Sequence, residues 1–409
     1  MEYAQIYTDL KGKAVFEQDT IPLDEEVVLR NCSFVSENAA ILPGEAEYFC
    51  PSHNFRSTDE HAFRNPLVVH PLLDIHDSQV NENKQFRYHI IAPVADHPIT
   101  DFILMFHGFN EKTWDKYMPW ARKIVEGTGK AVVLFPFAFH MNRAPLVWSD
   151  SRKMQRLSEE RRKVFPNLVS STFSNVAISA RIHAKPQRFF WSGLQAYYDV
   201  IQLLKQIKSG NHPFIGKTAR YDIFAYSIGG LLAQILMMTN YKDYFSSSKL
   251  CLFCGGAVFN RLSPVSRFIL DSEANVALYS YIIEHLENHL KNDLHLRHYL
   301  KGEHPEGFCF LSMLNYNVMR KEREDTIRKI SHQILAIPLE KDVVVPFYEV
   351  INTLQGSQRN IPVAVEVFDF PYTYRHENPF PSDLKIASQV TEGFERVFNR
   401  VNRFLVTAI

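Results

Sequence analysis

Little in this 409-residue chain marks a special environment or a bound group. Its five cysteines, an odd and small number, fit a reducing compartment better than a disulfide framework. No apolar run approaches the ~18 residues of a membrane span. The opening MEYAQIYTDLKGKAVFEQD is acidic early and has no apolar stretch of the kind a secretory signal uses, so a cytoplasmic protein without a membrane span is expected. Charge of one sign is missing too: 45 basic residues cancel 45 acidic ones, which gives no support to a nucleic-acid or acidic partner. No G-x-G-x-x-G or P-loop pattern follows a strand-like run, which argues against dinucleotide or phosphate-cradling chemistry. Neither an H-E-x-x-H nor an aligned His/Asp cluster occurs, so no metal and no cofactor are expected. Cys251 and Cys254 form one C-x-x-C, but it lies inside the apolar run KLCLFCGG rather than at a helix start. They read as buried strand cysteines rather than a redox or zinc pair.

What the chain does have is a hydrophobic content of 46%, enough for a sizeable core, and a regular alternation of elements. Residues 1–66 mix short apolar pieces with turn formers and read as an irregular N-terminal extension. LVVHPLLDIHD from 67 and FRYHIIAPV read as an antiparallel pair of strands joined by the polar turn SQVNENKQ. Strand-like runs then alternate with helical patterns. DFILMFHG, AVVLFPFAF, YDIFAYS, KLCLFCGG, HQILAIPLE and VAVEVFDFP are the strands. DKYMPWARKIVEGTG, SGLQAYYDVIQLLKQIKSG, IGGLLAQILMMTN and a long closing segment are the helices. This rhythm predicts an α/β fold, a mostly parallel central sheet flanked by helices. The core is expected over 67–257 and 331–409, with a polar insertion at about 140–190, where SEERRKVFP reads as a solvated helix face. Residues 258–330 read as a helical insertion of the size and place of a lid or cap.

The chemistry candidates sit where strands end. In FAYSIGG an apolar run stops at Ser227 and a helical pattern begins. A serine hydroxyl is a weak nucleophile that needs an adjacent base, and a sharp turn would project it toward one. Gly229 supplies the small residue such a turn needs. Ala225 stands where the usual G-x-S-x-G pattern has glycine, at the cost of one methyl group. MFHGFNEKTW places His107, Gly108 and Phe109 after an earlier strand. Asp342 follows a later one in LEKDVVVP, and His376 the last in FPYTYRHENPFP. Taken singly, each has a plainer reading. Ser227 and Gly108 could be turn residues, His376 a surface-loop histidine, and Asp342 a helix cap.

Taken in order, these residues resemble the α/β-hydrolase fold superfamily, in which the nucleophile follows the fifth strand, the acid the seventh and the histidine the eighth. The resemblance covers roughly 67–409. It implies a catalytic triad of Ser227, Asp342 and His376. It also implies an oxyanion hole from the backbone N–H groups of Phe109 and Ile228, with His107, Gly108, Ala225 and Gly229 as motif support. Glu340 and Asp369 are rival acids, and His332, His304 and His140 rival bases. The expected function is that of a serine hydrolase cleaving a carboxylic ester or related acyl bond of a small-molecule substrate through an acyl-enzyme. Two alternatives stay open: a binding protein that kept the fold without the activity, and a lyase or acyltransferase on the same triad.

Overall fold

The computed structural model describes residues 2–14, 16, 18–58, 60–65, 70 and 72–407. Its strands, in chain order, are β1 (Thr20–Pro22), β2 (Val27–Val35), β3 (Tyr48–Cys50), β4 (Phe55–Ser57), β5 (Gln85–Pro93), β6 (Ile99–Phe106), β7 (Ala131–Leu134), β8 (Ile215–Tyr226), β9 (Leu250–Phe253), β10 (Ile334–Ile337) and β11 (Ala364–Val365). Nine of them form one sheet in the order β1-β2-β5-β7-β6-β8-β9-β10-β11, while β3 and β4 form a separate hairpin. Pairing is antiparallel from β1 to β7 and parallel from there to β11. Counted from β2, strands five, seven and eight are β8, β10 and β11. The fold is that of the α/β-hydrolases.

Alternation along the central strands splits the interior into two cores. Phe102, Leu104 and Phe106 of β6 and Ile223 and Ala225 of β8 face the helices Arg188–Lys208 and Gly229–Thr239. Ile103, Met105, Phe224 and Tyr226 point the other way, toward Tyr117–Thr128 and the closing helix Ala387–Val406. The short strands AVVL, LCLF and ILAI are buried at every position, so they show no apolar/polar alternation in sequence.

The first strands of the sheet differ from the sequence expectation. Residues 20–35, read as part of an irregular extension, supply β1 and β2, and β2 pairs with β5 along its whole length from Val27↔Pro93 to Val35↔Gln85. Its run VVLRNCSFV escapes the alternation test because five of its first six positions are buried. Of the strand expected from 67, Leu67–Val69 and Pro71 lie outside the described residues, and 72–76 contain a turn and irregular chain. The expected turn SQVNENKQ instead carries a short 3-10 segment, Asp77–Gln79, and a helical turn, Asn81–Lys84, that lead into β5.

Two long connections cover the C-terminal edge of the sheet. The one between β7 and β8 carries Ser151–Val164 and Val176–Ala184 before the helix Arg188–Lys208. The one between β9 and β10 is helical, from Ser272–Tyr279 to Arg320–Lys329. They meet at a buried ion pair in which Arg161 donates from Nε to Oδ2 of Asp271 at 2.7 Å and from Nη2 to Oδ1 at 3.0 Å. Arg161 belongs to the charged run SEERRKVFP, so that run is not wholly a solvated face. One cation is turned inward, where a bidentate carboxylate offsets its desolvation.

Candidate active site

Register sets the site. Phe106 lies opposite Ala225, Tyr226 opposite Phe253, and Phe253 opposite Ile337, so β6, β8, β9 and β10 end level with one another. The loops that follow therefore converge at one edge, outside the carboxyl ends of parallel strands, where open α/β sheets place their ligands.

Ser227 follows β8 with φ of 56°, in the left-handed region that L-residues other than asparagine and aspartate rarely enter, and the helix Gly229–Thr239 begins two residues later. Its N–H donates to Phe253 O at 3.2 Å, which ties the turn to the neighbouring strand. Backbone closes in on Gly229 and Gly255, and the end of a leucine side chain on Gly230. A Cβ on Gly229 would stand 2.8 Å from His107 O, one on Gly230 3.0 Å from Leu252 Cδ2, and one on Gly255 2.8 Å from Ser227 O. Ala225 is fully buried in the ladder, and its methyl group packs into the core on the Arg188–Lys208 side.

From this turn Ser227 Oγ reaches Nε2 of His376 at 2.7 Å, and His376 Nδ1 lies 2.7 Å from Oδ2 of Asp342. His376 and Asp342 are buried. Asp342 is oriented by its own loop: Oδ1 accepts from the N–H groups of Val344 at 2.9 Å and Val345 at 3.0 Å, which leaves Oδ2 for the histidine. It caps this turn and not the following helix, which starts at Phe347 after Pro346. With Nδ1–H donating to the carboxylate, Nε2 of His376 is free to accept the serine proton. The loop carrying His376 is pinned twice. Tyr226 OH donates to His376 O, and Lys116 Nζ donates to Glu377 O at 3.1 Å.

The rival residues lie outside this arrangement. Asp369 binds Lys341 Nζ at 2.8 Å and Tyr374 OH at 2.8 Å, and Glu340 is exposed. His332 is exposed at the start of β10. His140 is buried, with its pKa pushed down to about 4 by burial, and its Nδ1 bonds Ala138 O at 2.9 Å. His304 lies in the connection between β9 and β10, against the β3–β4 hairpin.

His107 and Gly108 shape the loop after β6. His107 is fully buried, and burial holds its pKa well below the ordinary value, so the ring is neutral. Nε2 accepts from Phe137 N–H at 2.9 Å and Nδ1–H donates to Gly108 O at 2.8 Å, which fixes the tautomer and the loop together. Gly108 N–H donates to Tyr117 OH at 2.9 Å. Among the described residues, none accepts from the N–H of Phe109 or of Ile228. Both residues border an apolar cavity of about 30 Å³ together with Ser227, and a second of about 50 Å³ on the side of His140 and Phe310. Phe189 lines both, whereas its neighbours Phe190 and Trp191 are buried in the core. On the other side of Phe109 a groove of about 560 Å³ opens, edged by Asn110, Lys112, Arg375 and Glu377 and also lined by Phe268 and Ile269.

Cys251 and Cys254 are buried free thiols whose pKa burial drives upward, so neither is a reactive thiolate. Among the described residues no helix is long and apolar enough to cross a membrane.

Residues 1–406 match the model of a family described as "Family of unknown function (DUF6051)". The chain belongs to that family. No curated protein matches the sequence. Among solved structures, this member of DUF6051 is similar to carboxyl esterase 2 from the mycorrhizal fungus Tuber melanosporum at 12% identity and a TM-score of 0.44, over 79% of this chain and 82% of that one. It is similar to an esterase from Pyrobaculum calidifontis at 12% identity and a TM-score of 0.42, over 78% and 80%. The peroxisomal α/β-hydrolase Lpx1 from Saccharomyces cerevisiae aligns over 94% of this chain and 91% of its own, at 11% identity and a TM-score of 0.42.

Proposed function

We propose that this chain is a serine hydrolase that cleaves a carboxylic ester or related acyl bond through an acyl-enzyme on Ser227. The observation that carries the reading is the chain of two 2.7 Å contacts, Ser227 to His376 and His376 to Asp342, at one sheet edge. In the first half-reaction Oγ attacks the acyl carbon while its proton passes to Nε2 of His376, and Asp342 stabilises the imidazolium. The tetrahedral oxygen is met by the N–H groups of Phe109 and Ile228. Collapse breaks the bond to the leaving alcohol, which takes the proton from Nε2. Water then loses a proton to Nε2 as it attacks the acyl carbon, and collapse breaks the bond to Oγ, which takes that proton back from Nε2 and releases the acid.

The surroundings favour a division of the substrate. The apolar cavities of about 30 and 50 Å³ beside Ser227 and Ile228 suit an apolar acyl group. The larger groove of about 560 Å³, which mixes Lys112, Arg375 and Glu377 with Phe268 and Ile269, suits a bulkier leaving group that carries polar atoms. Neither cavity holds more than a few atoms, so a longer acyl chain requires the helical insertion between β9 and β10 to shift as a lid. A binding protein without activity would be favoured by a Ser227 hydroxyl out of reach of His376, and a 2.7 Å separation speaks against it.

Turnover of short-chain p-nitrophenyl esters by the wild type, lost in Ser227→Ala with an unchanged circular dichroism spectrum, is the expected result. Equal turnover in the variant overturns the reading. Release of free acid, rather than transfer of the acyl group to an added alcohol, separates hydrolysis from acyl transfer.

A further inference from the structure

Apart from the triad residues, four side chains turn their ligand atoms toward one point. Cys50 Sγ lies 3.7 Å from Nδ1 of His53 and 3.6 Å from Nε2 of His304. Nε2 of His298 lies 3.4 Å from Nδ1 of His53 and 3.2 Å from Nε2 of His304. All four atoms fall within 4.8 Å of one another. A zinc ion held by one thiolate at ~2.3 Å and three imidazoles at ~2.0–2.1 Å, tetrahedrally, sets edges of ~3.6 Å for S···N and ~3.3 Å for N···N. The four closest separations match those edges.

Hydrogen bonding within the cluster does not account for this convergence. Nε2 of His298 has either one proton or one in-plane lone pair, yet it faces two ring nitrogens at 3.4 and 3.2 Å, so at most one of them is satisfied. A single cation satisfies all four atoms at once.

The surrounding contacts hold the rings in place. Cys50 closes β3 and His53 sits in the four-residue turn to β4, with Cys50 paired to Phe55. His298 rides on the helix Leu294–Lys301 and stacks on Phe55 with centroids 4.2 Å apart and planes at 11°. His304 precedes the helix Pro305–Ser312 and stacks on Tyr299 at 4.6 Å. Its outer nitrogen, Nδ1, faces the buried Glu306 Oε1 at 3.1 Å, so Nδ1–H donates to the carboxylate and the lone pair of Nε2 points inward. This carboxylate–histidine arrangement is the usual second layer of a metal site. Nε2 of His53 lies 3.8 Å from Glu303. A zinc thiolate with three neutral imidazoles carries one net positive charge, which these two acids offset.

We propose that Cys50, His53, His298 and His304 form a structural zinc site that clips the β3–β4 hairpin to the helical insertion. Four protein ligands fill a tetrahedron and leave no open position for a reacting water, which marks a structural rather than a catalytic site. One thiolate with three imidazoles suits zinc over calcium or magnesium, which take oxygen ligands. The clip joins segments up to 254 residues apart in sequence. It also anchors the helix Pro305–Ser312, whose Phe310 lines the apolar cavity on the side of His140. From the sequence no metal is expected, because C-x-x-H at 50–53 and H-x5-H at 298–304 are each common by chance, and only the fold brings them together.

The full chain, produced without an affinity tag in zinc-supplemented medium, tests this by elemental analysis after gel filtration. About 1 zinc per chain is expected in the wild type and in His285→Ala, an exposed histidine outside the cluster, against less than about 0.1 in the Cys50→Ala/His298→Ala double variant. Cobalt exchanged into the wild type should give the intense visible bands of a tetrahedral ion and a thiolate-to-cobalt charge-transfer band. This readout stands even where the double variant fails to fold. Zinc-free wild type that takes up no cobalt overturns the proposal. So does a weak octahedral cobalt spectrum without the thiolate band, or full zinc content in the double variant.

Discussion

Tyr226 and His376 are joined twice: their rings stack with centroids 5.4 Å apart and planes at 17°, and the tyrosine hydroxyl donates to the carbonyl of the same histidine. The residue before the candidate nucleophile thus holds the candidate base. Tyr226→Phe removes the hydroxyl and leaves a buried carbonyl unpaired, which costs about 1–3 kcal/mol. It also frees the His376 loop, and a displaced base lowers ester turnover by about 10- to 10²-fold. Urea unfolding and steady-state kinetics check the two parts. Wild-type turnover in a destabilised variant would show that the contact serves stability alone.

Asp342→Asn keeps an oxygen for the Val344 and Val345 N–H groups but offers His376 Nδ1 an amide in place of a carboxylate. The imidazole then loses the partner that selects its tautomer, and kcat falls by about 10⁴-fold with the fold retained. A fall of less than tenfold, with native unfolding behaviour, would remove Asp342 from the proposed triad in favour of another acid.

Gly229→Ala tests the close approach of β6 to the turn. Its Cβ would stand 2.8 Å from His107 O and 3.0 Å from Phe106 Cβ, so one backbone must yield. Such overpacking costs about 1–3 kcal/mol. Because it separates the loop bearing Phe109 from Ile228, turnover should drop by about 10²-fold, the order expected for a lost oxyanion donor. Denaturation midpoint and kcat, measured together, check this.

Much of this site was legible because its parts are local. An apolar run ending at Ser227, glycine at 229, and His-Gly ahead of Phe109 are each readable within a few residues. Asp342 and His376 were legible through their order after successive strands. β2 was not, because a strand buried on both faces has no alternation, and its partner β5 lies about 60 residues on. The cluster of Cys50, His53, His298 and His304 was invisible for the same reason, since its halves are separated by most of the chain. Arg161 looked like surface charge because its partner, Asp271, comes from the other insertion.

Acid should destabilise the fold before carboxylates titrate. Burial lowers the pKa of His89 to about 3 and those of His140 and His212 to about 4, all below the ordinary 6.5. These imidazoles stay neutral when folded and protonate when the chain unfolds. The stability they contribute is therefore complete above pH ~6.5 and is lost as pH falls from there toward the folded values, by up to ~1.4 kcal/mol per pH unit for each. Unfolding free energy measured in urea at pH 7 and pH 5 should fall clearly at the lower pH. A flat profile would mean that these rings are solvated.

Covalent labelling of Ser227 tests the central claim most directly. A fluorophosphonate incubated with the wild type should add one phosphonyl group per chain, mapped by peptide mass spectrometry to Ser227. Ser227→Ala should add none, and Asp342→Asn should react far more slowly. A wild type that stays unlabelled, or a label that persists in Ser227→Ala, would contradict an activated nucleophile at the end of β8.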